Sequence, residues 1–377
     1  MKKSSGNSAK DRIFAEINLG TIERNYKLIK GRVGKDVEVL CVVKADAYGH
    51  GMIHVSKRLY HSGCNFFGVS SVNEGIEMRK AGIGGKILIL GGIFSPDGIK
   101  SLVSYNLTPV IHELESLRKI IDFAKKSKRD IVIHVKFDTG MGRLGFMPEE
   151  AGSLIDLLKN EPRLHIEGIM SHFSESEKRN GYGLKQVDTF ENVLRLFGSY
   201  GIKPVHIHMA NTGGIINYPE AYFNMVRVGI GLYGSYPSRE LEGSLGVEEA
   251  FSLKSRIAYV KEFGEGFRLS YGGTFVTKRR TRIGFIPCGY SDGYRRGLSN
   301  CAYVIVKEKR CPVVGRICMD WTLIDITDVN AEKGDTVILL GKTEKERITA
   351  WELADKLNTI PYEIFCGISK DVRRYYI

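Results

Sequence analysis

The run Val39-Leu40-Cys41-Val42-Val43-Lys44 ends an apolar stretch on a lysine, and a glycine-flanked polar loop follows, Ala45-Asp46-Ala47-Tyr48-Gly49-His50-Gly51. An amine held beside apolar side chains has a lowered pKa, because burial penalises the ammonium form, and such an amine forms Schiff bases with carbonyl compounds. By position alone Lys44 also suits a plainer role, a lysine that ends a strand and points to solvent. His50 and His54 lie four residues apart, and His206 and His208 two apart, as metal ligands can. No carboxylate or cysteine completes either set, so no metal site is expected. Gly82-Ile83-Gly84-Gly85-Lys86 has neither the spacing nor the hydroxyl residue of a phosphate loop, and a helix-to-strand turn explains it. The seven cysteines contain no Cys-x-x-Cys pair, which fits free thiols in a reducing compartment rather than a disulfide framework.

A reactive lysine needs elements that bring a strand end to a pocket. Val37–Lys44 is nearly unbroken apolar sequence, as a strand covered on both faces should be. Strand-like runs at 66–70, 86–90, 131–137, 164–171 and 205–208 alternate with helical stretches at 52–61, 72–80, 113–126, 151–159 and 186–200. In the stretch from Glu113, Leu114, Leu117, Ile121 and Ala124 line one helix face. Alternation over this length predicts right-handed parallel units closed into a (β/α)8 barrel, an α/β fold whose chemistry lies at the C-terminal strand ends. Lys44 would stand at such an end.

Beyond about residue 245 the pattern changes. Segments 252–262, 302–307, 322–326 and 336–340 read as strands separated by Gly, Asp and charged turns, which predicts a mostly-β C-terminal domain. The expected organisation is a disordered tail at 1–10, a barrel at 11–245 and a β domain at 246–377, with 235–247 as the linker. The chain has 377 residues, 43% of them hydrophobic, enough for two cores. It holds no apolar run of membrane-spanning length, and the basic N-terminus lacks the apolar stretch of a signal peptide, so a cytoplasmic protein is expected. The net charge is +12, but the basic residues are interleaved with acids, which favours a basic surface or an anion-binding cleft over nucleic-acid binding.

The segment Val43–Gly51 as a whole resembles the cofactor signature of the alanine racemase family, with Asp46 where Asn is usual. Further matches follow in order. Lys136-Phe137-Asp138-Thr139-Gly140-Met141-Gly142-Arg143-Leu144-Gly145 is similar to the family's barrel-strand motif. Ser171-His172-Phe173, His208-Met209-Ala210-Asn211-Thr212 and Arg227-Val228-Gly229-Ile230-Gly231-Leu232-Tyr233-Gly234 match as well. So do Ser270-Tyr271-Gly272, Gly289-Tyr290-Ser291-Asp292-Gly293-Tyr294, Val314-Gly315-Arg316-Ile317-Cys318-Met319-Asp320 and Pro361-Tyr362-Glu363. Thr212 replaces a commoner Ser, and Trp321 a commoner Gln. One such motif is weak, but this many in order, from about residue 13 to 370, are specific.

The resemblance implies pyridoxal 5'-phosphate as cofactor, bound covalently by Lys44 with Tyr48, His172, Asn211, Thr212, Arg227, Gly229, Ile230 and Tyr362 around it. It places Thr212 and the Gly229–Ile230 backbone at phosphate, and Arg227 at the pyridine nitrogen. Arg143, Tyr290, Met319 and Asp320 would contact substrate, with Lys136 (carbamylated in several members), His208 and Cys318 in support. The implied reaction interconverts L- and D-alanine, supplying D-alanine for peptidoglycan. Lys44 would serve one face of the substrate and Tyr271 the other, the Tyr coming from the second subunit of a head-to-tail homodimer. A broader or serine racemase, a decarboxylase of the same architecture, a barrel-only cofactor carrier and a nucleic-acid binder are the rivals. Arg227 argues against the decarboxylase, which needs an acid opposite the ring nitrogen. The β domain and Tyr271 argue against the carrier, and no nucleic-acid module is present. No membrane partner is expected.

Overall fold

The computed structural model describes residues 11–93 and 95–377; the tail expected at 1–10 lies outside the described residues. The described residues separate into two compact units, 22–47 with 52–247, and 11–21 with 48–51 and 248–377, so 11–21 belong with the β unit and not with the barrel.

The larger unit is a closed barrel of eight parallel strands in sequence order. Its strands follow β1 (Ile13–Ile17) of the other unit and are β2 (Glu38–Val42), β3 (Phe66–Val69), β4 (Lys86–Ile89), β5 (Thr108–Ile111), β6 (Ile131–Lys136), β7 (Leu164–Met170), β8 (His206–His208) and β9 (Met225–Val228). β2 closes on β9 with Leu40 opposite Arg227. Helices Met52–His61, Val72–Lys80, Leu114–Ser127 and Ala151–Lys159 fall where apolar periodicity places them. The helix expected from Gln186 starts five residues earlier, at Gly181. Asn180 caps it by accepting the Gly183 N–H, a start hidden behind two poor helix formers, Gly181 and Gly183.

The second unit is mostly β, with strands β10 (Phe251–Arg256), β11 (Tyr259–Phe263), β12 (Arg268–Leu269), β13 (Phe275–Val276), β14 (Thr281–Ile286), β15 (Tyr303–Val306), β16 (Lys309–Pro312), β17 (Thr322–Asp325), β18 (Thr336–Lys342), β19 (Arg347–Ile348) and β20 (Arg373–Tyr376). The run read as one strand over 252–262 is two. β10 joins the large sheet β16-β15-β18-β10-β1-β20, whereas β11 pairs with β14 in a three-stranded sheet with β17. The break at Ile257-Ala258 lets one continuous strand-like stretch serve two sheets: β10 alternates buried and half-buried residues, whereas no residue of β11 is fully buried. β1 lies between β10 and the last strand, antiparallel to the first and parallel to the second. Leu269, Ile283, Val314 and Leu323 form a small core beneath the three-stranded sheet. Helices Ala350–Leu357 and Pro361–Cys366 complete the unit. No helix of the described residues is long and apolar enough to cross a membrane, and none of their His, Cys, Asp and Glu side chains group as a metal site.

Candidate active site

β2 stops at Val42, two residues before the lysine. Residues Lys44–Tyr48 then form a helical turn of the wrong hand: Ala45, Asp46 and Ala47 have φ of 53–54° and ψ of 45–51°, and Tyr48 has φ of 54°. Left-handed backbone costs an L-residue roughly 1–2 kcal/mol, so four in succession store about 4–8 kcal/mol that the surroundings must repay. The restraints are visible. The Ala47 N–H bonds to Val43 O at 2.8 Å, the Ala45 N–H to Glu74 Oε1 at 2.8 Å, and the Met52 N–H to Asp46 Oδ1 at 2.8 Å. Glu74 also accepts the Ser70 N–H at 2.7 Å and takes part in the capping box of helix Val72–Lys80. Sequence reading missed Glu74; a Ser-x-x-Glu cap beside the lysine loop is the signal that could have found it.

At the end of β6 the loop carrying Arg143 is wound around one carboxylate. Asp138 Oδ1 accepts the N–H groups of Gly140, Met141 and Gly142 at 2.9, 2.7 and 3.1 Å, and Oδ2 accepts that of Arg143 at 2.7 Å. Burial alone would raise the Asp138 pKa, but these bonds favour the ionised form and hold it below the usual range. Asp138 therefore aims Arg143, a task its type and position within Asp-Thr-Gly-Met-Gly could have signalled.

The barrel mouth gathers cations. Lys136 is 6% exposed, and its amine is pulled down to about 8, first by burial and then by Arg227 and Arg143, with Lys44 adding a smaller push. Arg227, 3% exposed, projects from β9 and, among the described residues, donates to neutral acceptors. One terminal nitrogen meets His208 Nδ1 at 3.2 Å and His208 O at 2.9 Å. The other meets Ser171 O at 2.8 Å, His172 Nδ1 at 2.9 Å and Met209 O at 3.0 Å. Burial, then Arg143, lowers its guanidinium to about 9, which leaves it charged at neutral pH. Because arginine only donates, both imidazoles must present a lone pair at Nδ1. Burial, with Arg227 next, keeps His172 and His208 neutral.

A second feature suits an anion. The Thr212 hydroxyl oxygen accepts the N–H groups of Gly229 and Gly231, each at 3.3 Å, and a Cβ on Gly231 would lie 2.8 Å from Thr212 Cγ2. Asn211 caps the turn Thr212–Asn217. The missing side chain at Gly231 thus lets the Thr212 hydroxyl gather the backbone N–H groups on either side of Ile230. Together with Lys44, Lys136, Arg143 and Arg227, this donor set fits a phosphoester and a carboxylate.

The β unit holds its own cluster. Tyr271, 70% exposed, opens a short turn after Ser270, whose φ is 60°. The Ser270 hydroxyl donates to Arg316 O at 2.6 Å and lies 3.7 Å from Cys318 Sγ. The Tyr290 N–H bonds to Cys318 O at 3.1 Å, and Ser291 Oγ bonds to Asp320 Oδ1 at 3.0 Å. Hence Tyr271, Tyr290, Cys318, Met319 and Asp320 share one surface. Tyr48 and Tyr362 meet separately, with ring centroids 5.9 Å apart. The loop tip Tyr48–Gly51 is bound within this unit: Arg374 Nε donates to Gly49 O at 3.1 Å, and His50 packs between Phe251 and Phe365.

Comparison with known proteins was consistent along the chain. Residues 17–237 match the family described as alanine racemase, N-terminal domain, and residues 250–376 match alanine racemase, C-terminal domain. The chain is 42% identical over 366 residues to "Alanine racemase 2" of Caldanaerobacter subterraneus subsp. tengcongensis, covering 96% of this chain and 94% of that protein. Its structure is similar to that of an alanine racemase of Clostridium difficile, with TM-score 0.90, 35% identity, and 98% and 96% of the two chains covered. It is likewise similar to the Bacillus anthracis alanine racemase with bound L-Ala-P, with TM-score 0.90, 33% identity, and 97% and 95% covered.

Proposed function

The chain belongs to the alanine racemase family, and from that premise we propose that it interconverts L- and D-alanine with pyridoxal 5'-phosphate held at Lys44. The observation that carries the reading is Arg227: a buried donor, charged at neutral pH, held among the described residues by neutral acceptors where an electron-withdrawing site would need an acid. In this reading Arg227 would donate to the pyridine nitrogen without surrendering a proton. Thr212, Asn211 and the N–H groups around Gly229 and Ile230 would hold the phosphate end, and His172 would support the ring.

Bound there, the cofactor supplies the electron sink that acidifies the substrate Cα–H. The protein does the rest. Arg143, aimed by Asp138, pairs with the substrate carboxylate and so opposes its loss. Tyr290, Met319 and Asp320 line the substrate side, with Cys318 in support. The Lys44 amine takes or returns the proton on one face, and the Tyr271 phenol does so on the other. Lys136, lowered to about 8 among cations, is poised to gain a carboxylate from CO2 as a carbamate, which would pair with Arg143. We assign the protein to a head-to-tail homodimer in which Tyr271 completes the partner's barrel. Its support is that the Tyr271 phenol is left 70% exposed and Met319 55% exposed. Incubation with L-alanine, followed by chiral chromatography, tests the activity: D-alanine should accumulate to an equal mixture. No D-alanine from cofactor-loaded protein would refute the reading.

A further inference from the structure

Below Arg227 the barrel interior carries polar groups that the proposed chemistry does not use. His208 Nε2 lies 2.8 Å from His134 Nδ1, and His134 Nε2 faces Glu167 Oε2 at 3.6 Å. Those last two atoms are buried and, among the described residues, have no hydrogen-bond partner, so each is the other's nearest polar contact of opposite kind. Glu167 in turn pairs with Lys86, whose side chain is 44% exposed at the start of β4. A line of side chains therefore runs from solvent at Lys86 through Glu167, His134 and His208 to Arg227. An apolar filling would hold a barrel together at less cost than buried polar groups, so a line whose atoms face complementary partners only in one orientation calls for another purpose.

The backbone is shaped for this line. In the β6–β7 ladder Ile133 pairs with Ile166 and His134 with Gly168, so Glu167 is the extra residue of a β-bulge. A bulge re-aims a side chain, and here it carries Glu167 toward His134. Gly168 is needed as glycine, since a Cβ there would lie 2.2 Å from His134 Nδ1. The direction of the bonds is forced from both ends. Arg227 can only donate, so His208 accepts at Nδ1 and carries its hydrogen on Nε2. His134 must then accept at Nδ1 and carry its hydrogen on Nε2, the atom that faces the carboxylate.

We propose that Glu167 and His134 are positioning residues for Arg227: the carboxylate selects the Nε2–H form of both imidazoles and so keeps a lone pair aimed at the guanidinium. The pairing with Lys86 and His134 holds Glu167 ionised, down to about 2, while burial, opposed by Glu167, keeps His134 neutral. His206, beside His134 with ring centroids 6.1 Å apart, is also lowered by burial, to about 4, and adds no charge. The assignment of Arg227 to the pyridine nitrogen comes from the functional reading above; the bond directions do not depend on it.

The test uses the full-length protein labelled with 15N-histidine, with and without added pyridoxal 5'-phosphate. Long-range 1H–15N correlation spectra of the wild type should show His134 and His208 neutral, each with its hydrogen on Nε2. In Glu167→Gln the Nδ1 resonances of both rings should move toward mixed forms. Gly168→Ala, which deletes no polar group, should disturb the same resonances by displacing the His134 ring. Both variants should lower kcat about tenfold, the scale of one lost buried hydrogen bond, with KM for alanine changed less than twofold. An Nδ1–H or doubly protonated ring in the wild type, unmoved His208 nitrogens in Glu167→Gln, or moved nitrogens with unchanged kcat overturns the proposal. A wild type that racemises nothing removes the functional reading, while the resonances still decide the bond directions.

Discussion

The two units hold their reactive groups by opposite means. In the barrel, charge meets burial: Arg227, Lys136, His172 and His208 lie in a dry mouth, and their protonation follows from desolvation and from one another. In the β unit Tyr271 stands in water, and backbone geometry aims it, through the left-handed Ser270 and its bond to Arg316 O. A buried group is tuned by its neighbours and is costly to change, whereas an exposed group is placed by its turn and awaits a covering surface. The lysine joins the two modes, since Lys44 opens a strained turn whose far end, Tyr48–Gly51, is bound within the other unit.

Variants can break this contrast in order of expected size. Lys44→Ala removes the covalent anchor and one base together, and D-alanine formation should fall by about 10⁴-fold or more, the scale of a lost general base, with loss of borohydride-fixed cofactor. Label appearing on another lysine in the wild type would move the anchor. Arg227→Glu puts a carboxylate where neutral carbonyls accept. Racemisation should drop by about 10²–10³-fold, the scale of a misplaced electrostatic group, while transamination to pyruvate rises. An unchanged rate with no pyruvate, followed by coupled lactate dehydrogenase, would deny Arg227 its role.

Tyr271→Phe deletes only the phenolic proton carrier. It should cost about 100-fold in racemisation and leave solvent exchange of the α-proton on the enantiomer served by Lys44, read by NMR in D2O. If the phenol comes from a partner, mixing inactive Lys44→Ala and Tyr271→Phe proteins after dissociation should restore activity in heterodimers. No recovery despite proven subunit exchange would put both bases in one chain. The smallest effect belongs to Lys136→Ala, which should raise KM for alanine about tenfold or less by loosening Arg143. The amine is held at about 8, so its free-base form is depleted as pH falls below that value. A 13C-carbamate signal from labelled bicarbonate should weaken on acidification and be absent in Lys136→Ala.

Legibility differed in kind between these regions. The helices Met52–His61 and Val72–Lys80 were readable because one-sided burial imposes a 3.6-residue period. The run at 252–262 was not readable as two strands, because alternation records burial on one face without saying which sheet supplies it. Residues of special type in special order, such as Lys44 after an apolar strand or Tyr271 between Ser270 and Gly272, carried the site. Residues that aim them did not stand out: Asp138, Glu74 and Glu167 are ordinary carboxylates until their partners, near or far along the chain, reach them.

By itself the sequence determined the alternating barrel, the β unit that follows, the family and the motifs in which the proposed reacting residues stand, because local periodicity and motif order survive in one dimension. The tertiary structure alone decided the hand of the Lys44–Tyr48 turn, since no glycine lies within it and bonds to Val43, Glu74 and Met52 help to hold it. It also decided which way hydrogens point around Arg227. That direction depends on a bulge at Glu167 and a missing side chain at Gly168, and hydrogen-bond polarity becomes fixed only when a donor-only cation and a carboxylate meet two imidazoles between them.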